Sequence, residues 1–209
     1  CSLSRSSEKP ATHTQQPTIS LLPAIWLIYA FLADKLGANP IEAITRDTGL
    51  WALRFLWLTL LITPLRWLTS WNQLISLRRM LGLYVFFYAT LHMLLYLCLD
   101  QFFDIDDIIK DIIKRPFITI GFFTFTALIP LALTSNKAMI KRLGGKRWKQ
   151  LHTLTYLIAI ASSVHFYMLV KQDKTEPLVY LFLLLVLFSA RLYRHYQSNR
   201  QNNREFNGK

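Results

Sequence analysis

Three histidines, His92, His152 and His165, fall in stretches apolar enough to lie inside a lipid bilayer. An imidazole in hydrocarbon needs a hydrogen-bond partner, a charged neighbour or a metal, because bare ring nitrogens are costly to bury there. Iron in a porphyrin meets that need. Two neutral imidazoles supply both axial bonds of a b-type haem, and such a centre stays low-spin and passes electrons. The competing reading is polar glue, in which each ring simply hydrogen-bonds to a neighbouring helix.

Six apolar windows position these rings: roughly Ile19 to Ala33, Trp51 to Leu68, Met80 to Phe103, Phe117 to Leu133, Leu151 to Val170 and Pro177 to Tyr193. Each is near the ~20 residues that a helix needs to cross a bilayer. Pro23 interrupts the first, which is the shortest. No small-residue cleavage pattern follows Ala33, so that window reads as a retained span rather than a signal peptide. With 53% of residues hydrophobic and 14% aromatic, the composition is that of an all-α membrane protein, not a soluble domain. Residues 1–17 read as a polar, disordered tail, 18–195 as a six-helix transmembrane domain and 196–209 as a basic polar tail.

The net charge of +12 is explained by where the charges sit. Arg66, Arg78 and Arg79 lie between windows two and three, Lys137, Lys141, Arg142, Lys146, Arg147 and Lys149 between four and five, and Arg191, Arg194, Arg200 and Arg204 at or beyond the end of six. The alternate connections are mixed or acidic, with Asp104, Asp106, Asp107 and Asp111 in the third. The positive-inside rule then places both termini in the cytoplasm and assigns the basic residues to orientation and headgroups, which excludes a nucleic-acid role. Only Cys1 and Cys98 are available, so there is neither a disulfide framework nor a CxxC metal site.

Orientation sets depth, because spans three and five enter from the same side and run parallel. His92 is about 18 Å and His165 about 20 Å along its helix, at ~1.5 Å per residue, so these two can share one iron. His152 lies at the start of span five, where a second haem would find Arg78, not histidine, about fourteen residues before His92 and within ~40° of its face. Guanidinium is a weak iron ligand. Arg78 would instead pair with a haem propionate, leaving that iron five-coordinate, water-liganded or bound by another group. One geometrical difficulty follows: on an ideal helix His152 and His165 lie about 140° apart around the axis. A bend at Ser162 and Ser163, or haems on different flanks, resolves it.

The segment DIDDIIKDIIKRP places Ile105, Ile108, Ile109, Ile112 and Ile113 at helical spacing opposite Asp and Lys. That pattern predicts a short interfacial helix, a membrane anchor or a docking point for a partner. His13 and His195 lie among polar residues and read as solvated.

The stretches RRMLGLYVFFYATLHMLLY around His92 and LTSNKAMIKRLGGKRWKQLHTLTYLIAIASSVHF around His152 and His165 carry more than hydropathy. From about Leu21 to Arg194 the chain resembles the MsrQ (YedZ) family, within the ferric reductase-like transmembrane group. The resemblance implies that His92, His152 and His165 match the family's haem ligands and that the cofactors are one or two b-type haems and FMN. It further implies a bacterial inner-membrane subunit that passes electrons to the periplasmic molybdenum-containing methionine-sulfoxide reductase MsrP. Eukaryotic members of the wider group carry two histidines on span three, and this chain departs from them at Arg78.

No GxGxxG occurs anywhere in the chain, so electrons must arrive from membrane quinol or from a soluble flavin reductase acting through FMN. The basic rim of Arg78, Arg79, Arg142, Lys146, Arg147 and Lys149 offers a place for the FMN phosphate, although topology signals alone account for it. Two other functions remain as alternatives: a ferric-chelate or oxygen reductase-like haem protein, and a haem-free transporter using the histidines for protons or a metal.

Overall fold

The computed structural model describes residues 16–207, with side chains described over 20–201. The polar tail up to residue 15, with Cys1 and His13, lies outside the described residues. The described chain is helical throughout: α1 (Gln16–Leu32), α2 (Pro40–Thr69), α3 (Leu74–Leu95), α4 (Ile105–Lys114), α5 (Pro116–Leu133), α6 (Lys137–Leu143), α7 (Gly145–His152), α8 (Leu154–Leu169) and α9 (Thr175–Asn207). A π-helical turn, Tyr96–Asp100, extends α3. Four helices are long and apolar enough to cross a membrane: α2, α3 with its π turn, α5, and α9 over Thr175–Gln201. The apolar part of α1, Ser20–Leu32, and the 16-residue α8 are shorter.

Local chemistry sets the ends of these helices. Asn39 caps α2, its side chain accepting from the Glu42 N–H at 3.3 Å while its amide donates to the Glu42 carboxylate at 2.9 Å. Pro40 occupies the first helical position, where a missing N–H costs nothing. At the other end Ser70 adopts a left-handed conformation, φ 56°, and its N–H closes on the Arg66 carbonyl at 2.9 Å. The interfacial helix expected from the isoleucine spacing is α4, capped by Asp104, which accepts from the N–H groups of Asp106 and Asp107. Ile105, Ile109 and Ile113 are exposed along it.

The core runs down the middle of the bundle and is made by α2, α3, α5, α8 and α9. Leu50, Leu53, Leu56 and Leu60 of α2 meet Val85 and Tyr88 of α3, Leu128 of α5, Ile158 of α8, and Leu184 and Leu187 of α9. Tyr88 ties α1 to this core. Its ring stacks on Phe55 at 5.2 Å, and its buried hydroxyl donates to the Ser20 carbonyl at 2.8 Å and accepts from the Ala24 N–H at 3.2 Å. Much of the remaining apolar surface faces outward, as a lipid-facing bundle requires; Leu32, Phe123, Phe182 and Leu185 are all more than 60% exposed.

Span five differs from the sequence expectation. His152 ends α7 and Leu154 opens α8, so the helix breaks at Thr153 instead of bending at Ser162 and Ser163. The Thr153 N–H closes on Gln150 at 3.2 Å and the Tyr156 N–H on Thr153 at 3.0 Å, both three-residue turns that tighten the backbone. Ser162 and Ser163 stay within α8, each hydroxyl donating to the Ala159 carbonyl. The break at Thr153 removes the ideal-helix relation between His152 and His165.

Candidate functional site

At one end of the bundle α3 and α8 bring His92 and His165 opposite each other, ring centroids 6.3 Å apart and ring planes at 81°. An iron bound by each imidazole at about 2.0 Å would put the centroids roughly 6 Å apart, so the spacing fits one metal between the two rings. The protons are arranged to match. His92 Nδ1 donates to the Thr45 carbonyl of α2 at 2.8 Å, and His165 Nδ1 donates to the Phe117 carbonyl of α5 at 2.6 Å. A carbonyl can only accept, so each ring carries its proton on Nδ1 and keeps Nε2 as a free lone pair.

Each imidazole is also admitted by a glycine. A Cβ at Gly49 would stand 3.0 Å from His92 Nδ1, and one at Gly121 would stand 3.1 Å from His165 Cε1. The arrangement repeats: the residue whose carbonyl accepts and the glycine are four apart on α2 (Thr45, Gly49) and four apart on α5 (Phe117, Gly121). Four residues bring a helix back to the same face, so the carbonyl and the missing side chain meet the same ring. Sequence reasoning missed all four residues. The only available signal was two lone glycines inside apolar helices. Among the described residues no group of three or more His, Cys, Asp or Glu converges, so the pair lacks the protein ligands of a tetrahedral metal site.

His152 lies at the opposite, basic end, and it is built differently. Its ring stacks on Trp148 at 4.1 Å and 30°, and its Nε2 is 3.2 Å from the Thr134 hydroxyl of α5. Trp148 reaches the same turn, donating its indole N–H to the Thr134 carbonyl at 3.0 Å. Arg78 is near enough for its charge to act on His152, as the register of spans three and five required. Of the proposed rim, Arg79, Arg142, Lys146, Arg147 and Lys149 are exposed and Arg78 is half-buried. His195 is exposed on α9 beside Asn199, away from both histidine sites. Cys98 is a free thiol within the π turn.

Known proteins with related sequences concentrate on one group. The profile of the ferric reductase like transmembrane component matches residues 48–163, a stretch that contains His92 and His152 and ends just before His165. A protein of Herminiimonas arsenicoxydans named protein-methionine-sulfoxide reductase heme-binding subunit MsrQ is 47% identical over 91% of this chain and 93% of its own length. Proteins of the same name from Azospira oryzae and Rhodospirillum rubrum are 50% and 48% identical, over 87% and 82% of this chain and 78% and 83% of theirs.

Proposed function

Because the chain belongs to the MsrQ family of ferric reductase-like transmembrane proteins, we propose that it is a membrane cytochrome b that carries electrons across the bacterial inner membrane to a periplasmic methionine-sulfoxide reductase of the MsrP type. The observation that carries this reading is the facing pair His92 and His165, each with Nδ1 bonded to a carbonyl and Nε2 free. Held between them, a b-type haem supplies reversible one-electron chemistry. His92 and His165 would hold the group through their Nε2 atoms, and the carbonyls of Thr45 and Phe117 fix the tautomer and the ring orientation. Phe117 and Gly121 of α5, with Thr45 and Gly49 of α2, wall the pair from both flanks.

His152 and Arg78 serve as the entry site at the cytoplasmic end, His152 as the ligand of a second haem. Electrons arrive there from membrane quinol or from a flavin donor, with FMN held at the basic rim. In this reading α1, α2, α3, α5, α8 and α9 are the six spans, and both termini are cytoplasmic. Methionine-sulfoxide chemistry belongs to the partner; among the described residues no group of three or more His, Cys, Asp or Glu converges in this chain. The facing pair supports this reading over a metal or proton transporter, since closed axial coordination suits electron transfer and gives a metal no exit.

The test is the iron and haem content of the purified full chain, with oxidised and dithionite-reduced spectra, beside His92→Ala and His165→Ala. Each variant is expected to lose the same bis-histidine component while the chain stays folded. Wild-type protein without haem, or a spectrum unchanged in both variants, would overturn the proposal.

A further inference from the structure

Arg191 of α9 is half-buried, with the inner nitrogens of its guanidinium closed off from solvent, where an unpaired charge is costly. Its Nη2 donates to the carbonyl of Leu60 in α2. That carbonyl needs a donor for a local reason: Pro64, four residues on, has no N–H to close the helical bond back to Leu60. Capping it uses one N–H group. The remaining Nε and Nη1 are buried and have no hydrogen-bond partner among the described residues. The guanidinium lies 5.1 Å over the Tyr156 ring, which stabilises the cation but accepts none of those hydrogens in the ordinary way. No carboxylate forms an ion pair with Arg191 among the described residues, whereas the charge of Arg78 acts on it as it acts on His152.

Two guanidiniums that feel each other's charge at the edge of hydrocarbon call for an anion between them. We propose that Arg191 and Arg78 form an oxyanion site beside His152, in which Arg191 turns its unpartnered Nε–H or Nη1–H toward an oxygen of a carboxylate or phosphate. The two free donors leave different edges of the guanidinium, so each reaches a separate oxygen through a charge-assisted hydrogen bond. Two sources have that chemistry here: a propionate of a haem held at His152, and the phosphate of FMN or of a phospholipid. The site rests on the haem reading above, but only for the first of these sources.

The experiment uses full-length protein purified in mild detergent, as wild type, Arg191→Lys and Arg191→Met. Haem per chain, flavin per chain and bound phosphorus are measured, together with the spectrum of the His92 and His165 component as an internal record of folding. Arg191→Met is expected to lose about half of its haem, with the His92 and His165 component unchanged and Arg191→Lys intermediate; that identifies the propionate. Intact haem with loss of flavin or phosphorus supports the same site and identifies the phosphate. Wild-type protein without haem would sink the cytochrome reading alone, and the phosphorus measurement would still decide the oxyanion site. Full retention of haem, flavin and phosphorus in Arg191→Met overturns the site. Collapse of every signal in both variants also overturns it, since Arg191 would then act only through the Leu60 carbonyl.

Discussion

The two histidine sites of this bundle are built on opposite plans. At the His92 and His165 end, two rings oppose each other, both Nδ1 protons are committed to backbone carbonyls, and glycines leave the rings the room they occupy. At the basic end, His152 has no opposing histidine among the described residues; it leans on Trp148, touches Thr134 through Nε2 and feels the charge of Arg78. The first plan fixes orientation and protonation with groups that cannot titrate, whereas the second holds its ring by stacking and a rotatable hydroxyl. In the cytochrome reading His92 and His165 would hold a haem whose chemistry is one-electron transfer. A lone histidine beside cations leaves room for an anion and for exchange with a donor.

The sharpest way to break this comparison is to remove one ring of the pair. His165→Ala is expected to abolish the bis-histidine component entirely, read as loss of the low-spin ferric signal in electron paramagnetic resonance, while any component at His152 persists. His152→Ala should do the reverse and leave the His92 and His165 signal at full amplitude; if each variant erased both signals, the sites would be one unit and the comparison would fail.

Next in size is Gly49→Val, which forces a branched side chain against His92. Overpacking of this kind costs about 1–3 kcal/mol, and the expected readout is a several-fold loss of haem occupancy with a shifted low-spin signal in the haem that remains. Gly121→Val should match it on the His165 side, and an unperturbed spectrum in both would show that the glycines do not position the rings. A smaller effect is expected of Trp148→Phe, which keeps an aromatic ring on His152 but leaves the Thr134 carbonyl without its indole donor. One hydrogen bond is worth about 1 kcal/mol, so thermal unfolding should fall by a few degrees with the His92 and His165 signal intact. Smallest is Asp111→Asn, which weakens the 3.2 Å pair with Arg115 and the 2.9 Å bond from Gln101 that pin α4. The pair is open to solvent on its Arg115 side and is expected to contribute about 1 kcal/mol, so cofactor content should not change.

Four of the six expected spans return as helices long and apolar enough to cross a membrane, and they were legible because bilayer length is a one-dimensional quantity. The meeting of His92 and His165 was legible as well, since a fixed rise per residue on parallel helices converts sequence position into depth. The break at Thr153 was not. That residue keeps nearly helical dihedrals, φ −68° and ψ −20°, and carries no glycine or proline to mark it. Backbone acceptors were equally hidden, because any residue at position 45 or 117 offers the same carbonyl. Arg191 was visible only as one charge among many near the end of a span; its meaning appears once Pro64 is seen to free the Leu60 carbonyl across the bundle.

The spacing shared by Thr45 with Gly49 and by Phe117 with Gly121 amounts to a portable rule for builders of haem proteins. A helix that offers one accepting carbonyl and a glycine a single turn later can lock an imidazole on its neighbour, whatever the other residues are, because neither element depends on a particular side chain. Two copies of that helix facing inward would specify ring tautomer, ring tilt and separation before any porphyrin is added, using only backbone geometry and one omitted methyl group per ligand.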